Sequence, residues 1–148
     1  MNQRRLIRRR LAALLWTGAL AWTAAACDDF FGVGIEVPEQ ARIEVSGQTP
    51  VELLLVTSKR FAFLWDEEAQ RDTLVVAVAD TIPLMQDDLP FEKSISIRPE
   101  ERLLVQLHNL QPDTAAVSLR VYLDGTIAYE RAAGLADGTF QYSQVWTR

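Results

Sequence analysis

Side chains able to do chemistry are few and scattered in this 148-residue chain. It has one histidine, His108, and one cysteine, Cys27. A base for a serine or cysteine nucleophile would have to be His108, yet no G-x-S-x-G surrounds any serine. His108 stands beside Asn109 at the end of an alternating stretch and reads as a surface or turn residue. Zinc needs several His, Cys or carboxylate ligands at recognisable spacings, and none are present. No Gly-rich run is suited to cradling a phosphate.

Carboxylates are the plentiful reactive groups. Asp66, Glu67, Glu68 and Asp72 cluster in one polar stretch, and Asp80, Asp87 and Asp88 in another. Adjacent loops at one end of a β-sandwich can assemble the oxygen cage that calcium requires. No D-x-D-x-D-G run supports that, and Arg71 sits inside the first cluster, so solvated turns are the expected reading. A paired-carboxylate glycosidase would need a larger scaffold and a cleft. Tyr122, Tyr129, Tyr142 and Trp146 offer an aromatic face, which half-buried strand pairs explain as well. The expected inventory is therefore no catalytic set, no metal and no cofactor.

The organised stretch lies at the N-terminus. RRLIRRR is followed by LAALLWTGALAWTAAA, and no acid precedes Asp28. A spanning helix needs roughly 20 apolar residues. The run from Leu11 to Ala26 is shorter and ends in small residues, which together with the basic start describes a secretory signal peptide. The retained positive charges agree with the positive-inside tendency.

Ala24-Ala25-Ala26-Cys27 resembles the lipobox of bacterial lipoproteins, in which the cysteine becomes the first mature residue and carries acyl chains. Ala24 stands where that family most often has Leu. The resemblance implies attachment of a diacylglycerol through the Cys27 sulfur, and an anchor of several chains holds stably. Two other readings stay open: ordinary cleavage leaving a free thiol, and an uncleaved short anchor. An unpaired cysteine in an exported protein wants an explanation, which favours lipidation. Whether the inner or outer membrane is reached stays open.

All 20 acidic residues lie after Cys27, with only two thirds of the 15 basic ones. Such an anionic body is unsuited to nucleic acid or an anionic bilayer surface, which both want a cationic footprint. No cysteine follows Cys27, so stability must come from an apolar core rather than disulfides.

From Arg42 onward the chain alternates with period two and is rich in β-branched residues. The pattern predicts strands over Arg42–Ser46, Val51–Thr57, Phe61–Trp65, Thr73–Ala79, Phe91–Ile97, Arg102–His108, Ala116–Leu123 and Thr139–Trp146, with a return strand through Ile127 and Tyr129. Gly34–Val37 is a further candidate. Asp80–Pro90 reads as a long crossover and Ala132–Gly138 as a flexible connection. A three-residue Leu123-Asp124-Gly125 loop would pair Val121 with Ile127 and Leu119 with Tyr129, keeping one face apolar.

About eight or nine strands without helical periodicity predict an antiparallel β-sandwich after an N-terminal signal helix. SISIRPEERLLVQLHNL continuing into VSLRVYLDG resembles consecutive late strands of immunoglobulin or fibronectin type III-like domains. That resemblance implies an immunoglobulin-like sandwich, and Trp65 on an early strand would suit a sandwich core. A small closed barrel is the competing architecture. The expected organisation is a signal peptide over 1–26, a lipidated cysteine and tether over 27–39, and the sandwich over 40–148. The expected function is a non-enzymatic interaction or scaffolding module, membrane-anchored through acyl chains on Cys27 and binding another envelope protein. The alternative is a ligand-binding or sensor module holding a small molecule, glycan or calcium at its loop ends.

Overall fold

The computed structural model describes residues 36–146, so the signal peptide, Cys27 and the tether as far as Ile35 lie outside the described residues. Eight strands follow in order: β1 Gln40–Gln48, β2 Leu53–Asp66, β3 Arg71–Leu84, β4 Phe91–Ser96, β5 Arg102–Asn109, β6 Ala115–Leu123, β7 Thr126–Leu135 and β8 Gly138–Val145. A 3-10 turn, Gln86–Asp88, precedes β4. The strands form two four-stranded sheets, ordered β4-β1-β6-β7 and β3-β2-β5-β8, and every ladder is antiparallel.

Period-two patterning explains which faces meet. Ala41, Ile43 and Val45 of β1 and Val117, Leu119 and Val121 of β6 are buried from one sheet. Leu53 and Leu55 of β2, with Leu103, Val105 and Leu107 of β5, are buried from the other. These side chains belong to one apolar core, and each fully buried one contributes about 1.5–3 kcal/mol. No ladder joins the sheets among the described residues, which sets the closed barrel aside. The two-sheet sandwich is therefore established.

The strand order does not carry the immunoglobulin-like expectation further. In that fold the last two strands lie in one sheet, whereas β7 and β8 belong to different sheets. Among the described residues β2–β3 and β6–β7 are the hairpins within a sheet, and the other connections pass between sheets.

Several elements differ from expectation. Val51–Thr57 and Phe61–Trp65 are not two strands, because β2 runs unbroken through a double register shift around Ser58–Arg60. The crossover between sheets is shorter than expected: the connection to β4 is left to the residues from Met85 to Pro90, since β3 continues to Leu84. Pro83 is tolerated there because β3 is an edge strand among the described residues, so no ladder needs its missing N–H. Ala132–Gly138 is not a loop either: β7 continues through Leu135 as the other sheet's edge. Glu36–Pro38 is not strand.

The β6–β7 turn has two residues, not three. Asp124 and Gly125 both take positive φ, 46° and 82°, as a tight mirror-image hairpin turn requires. Tyr122 then pairs with Ile127, and a register shift returns Tyr129 opposite Val121. A bulge thus restores the apolar face that an odd-length loop was expected to supply.

Candidate functional site

The hairpin of β2 and β3 outgrows the sandwich. β5 pairs with β2 over Leu54–Ser58, yet β2 stays paired with β3 as far as Asp66↔Arg71. Arg60–Asp66 and Arg71–Val78 therefore form a two-stranded arm beyond the β2–β5 ladder. Phe61, Phe63 and Trp65 alternate on one face opposite Val76, Leu74 and Asp72, while Ala62 and Leu64 face the other way opposite Val75 and Thr73. The arm is thus apolar on both faces. Phe61 at its root is 5% exposed, whereas Phe63, Leu64, Trp65 and Val75 are 45%, 54%, 58% and 45% exposed.

Trp65 was expected in the core; its strand leaves the second sheet before reaching it. Phe61 and Phe63 make an edge-to-face pair with ring centroids 5.8 Å apart. At the root, Arg102 Nη1 donates to the Phe61 carbonyl at 2.7 Å, fastening the arm to the start of β5. At the tip, Asp66 Oδ1 accepts the Glu68 and Ala69 N–H groups, each at 3.0 Å, and closes the turn.

A cleft opens where the arm leaves the sandwich. It has a volume of about 320 Å³ and is bounded by Thr57, Ser58, Lys59, Arg60, Val78 and Asp80 on one side, and by Lys93, Ile95 and Glu101 on the other. Lys93 is ion-paired with Asp80. Lys59 bridges to Glu101 at 3.0 Å and also donates to the Ser96 carbonyl. Desolvation raises the Glu101 pKa, but the Arg98 N–H and the Lys59 ammonium outweigh it and hold the carboxyl below its ordinary value.

The two acidic clusters singled out from sequence do not converge. Asp72 pairs with Trp65 and Asp80 with Thr57, so roughly 25 Å of extended strand separates them at ~3.3 Å per residue. The two acidic clusters therefore do not form one calcium site; Asp88 Oδ2 instead accepts the Met85 N–H at 2.7 Å. Among the described residues no group of three or more His, Cys, Asp or Glu is arranged to hold a metal.

His108 is the penultimate residue of β5, at a strand end as expected and half-buried, with Nδ1 2.7 Å from Thr139 Oγ1. Burial lowers its pKa. Tyr122 donates to Glu44 Oε2 at 2.9 Å and stacks beneath Arg42. Tyr129 and Tyr142 pack together at 5.7 Å and border the core, as does Trp146. The four aromatics thus serve strand packing.

The sequence reading missed the arm's cationic root. Lys59, Arg60, Lys93 and Arg102 carry no motif and meet only through the fold. The apolar runs FAFLW and LVVAVA were a signal, since both faces are apolar where one should be wet. No family model, curated protein or solved structure matches the chain.

Proposed function

We propose that this chain is a lipoprotein of the bacterial cell envelope, anchored through Cys27, whose β-sandwich is a non-enzymatic interaction module docking another envelope protein on the β2–β3 arm. The observation that carries the docking is the exposure of Phe63, Leu64, Trp65 and Val75 on both faces of a projecting hairpin. Clustered exposed apolar groups of this kind mark interaction sites. The tip bears Glu67, Glu68 and Asp72 beside Arg71, so the complementary partner has an apolar strip flanked by basic residues. Support for the anchor is the basic, apolar, small-residue and Cys27 sequence alone.

The anchor is tested by the mass of the N-terminal peptide from the membrane fraction. A terminus at Cys27 with acyl mass is expected, and Cys27→Ser should lose it. An unmodified cysteine in a soluble fraction overturns the anchor. Docking is tested by pull-down of the full chain from solubilised membranes, with Leu64→Glu and Trp65→Glu beside Ile127→Glu, a control on the opposite sheet. A stoichiometric envelope protein lost only in the two arm variants is expected. No partner, a partner retained by the arm variants, or recovery of only a second copy of this chain overturns the docking.

A further inference from the structure

We propose that the cleft at the root of the arm is a binding site for a small organic anion with an apolar body, its acidic group held by Arg60. This does not depend on the arm having a partner.

The backbone is what makes the site. Successive strand residues point to opposite faces, yet Thr57, Ser58, Lys59 and Arg60 all line this one opening. The register shifts between Thr57 and Phe61 allow it. A buried hydroxyl builds that irregularity: Ser58 Oγ donates to the Val78 carbonyl at 2.5 Å and accepts the Arg60 N–H at 3.0 Å. Bulges of this sort re-aim side chains next to functional sites.

The charges then select the ligand. Lys59, Arg60 and Lys93 face Asp80 and Glu101, leaving a cationic balance in a chain whose net charge is −5. Lys59 and Lys93 are each matched to a carboxylate. Arg60 has no carboxylate within ion-pair distance among the described residues and is exposed. Its planar fork suits a bidentate anion. The walls are apolar: Ile95 is half-buried, and Val78 is 60% exposed although it sits in a paired strand. A volume of about 320 Å³ lies at the small end of ligand pockets, roughly 300–1,000 Å³. A ligand that covers Val78 and Ile95 while presenting an anion to Arg60 satisfies both features.

The experiment is calorimetric titration of the full chain in lipid nanodiscs with 4-phenylbutyrate, its neutral amide and inorganic phosphate. Empty nanodiscs and the variants Arg60→Ala and Val78→Asp are titrated alongside. Saturable 4-phenylbutyrate binding, one per chain, is expected, weakened about tenfold or more by Arg60→Ala. The amide and phosphate should each bind more weakly than 4-phenylbutyrate. Arg60 is exposed, so its removal should leave the melting temperature unchanged. Equal binding of the amide overturns the role of the anion, and equal binding of phosphate overturns that of the walls. Heat no greater than that of empty nanodiscs, or wild-type affinity in both variants, overturns the site.

Discussion

Single residues set the points at which this sandwich is least tolerant. Gly47 takes φ 126°, and a Cβ there would lie 2.2 Å from the Ala116 carbonyl oxygen. Gly47→Ala should destabilise by about 2–4 kcal/mol, read as a lower denaturant midpoint at unchanged slope. Asn109 is fully buried; its Nδ2 donates to the Asp113 and Leu135 carbonyls, each at 2.7 Å, and its Oδ1 accepts the Gln111 N–H at 2.9 Å. Asn109→Leu strands those groups and should cost about 3 kcal/mol. In the sequence Asn109 was only the neighbour of the single histidine. Its role was not legible because all its partners are backbone atoms, two of which are placed by loops and one by the end of β7.

Two titrating residues give the protein a pH dependence of one sign. His108 and Glu101 both have folded pKa values below their ordinary ones, so the unfolded chain binds more protons wherever they titrate. Stability therefore falls as pH falls. The His108 contribution is complete above about 6.5 and is lost as pH drops through its lowered folded value; that of Glu101 is complete above about 4.3 and is lost likewise. Thermal melts across that range should show the upper part flattened in His108→Gln and the lower part in Glu101→Gln. An unchanged profile in either variant would remove that residue from the account.

At the scale of elements, the arm is the feature with its own behaviour. Arg60–Asp66 and Arg71–Val78 pair only with each other among the described residues. Their amides beyond Phe61 should exchange hydrogen faster than those of β5, which is paired on both sides. Arg102→Gln removes the donor to the Phe61 carbonyl and should speed exchange in the arm while leaving β1 and β6 unchanged. Uniform protection across both would mean that the arm is not a separate element.

Elements were legible in proportion to how cleanly one face is buried. β1 and β6 alternate because the core takes every second residue, and β5 departs from that pattern at Leu104, buried between the core residues Leu103 and Val105. Beyond Arg131 the sequence of β7 looks like a loop because Ala132, Ala133 and Gly134 have low strand propensity; the ladder to β6 holds them in an exposed edge. The sequence of β2 looks like two strands because a bulge interrupts its period, and the same bulge lies at the cleft.

For the molecule as a whole, the sandwich supplies stability through an apolar core and leaves Phe63, Leu64, Trp65, Val75 and Val78 exposed on the arm. Export and anchoring are proposed from residues before the described ones, whereas docking is proposed from the arm. The two meet only if the arm finds its partner in the envelope. The most direct measurement places a photo-crosslinking residue at Phe63 of the full-length chain in intact cells, with Ile127 substituted likewise as the comparison. One discrete adduct to another envelope protein from position 63, and none from position 127, is the predicted result. No adduct from position 63, or the same adducts from both positions, would contradict the arm as a docking element.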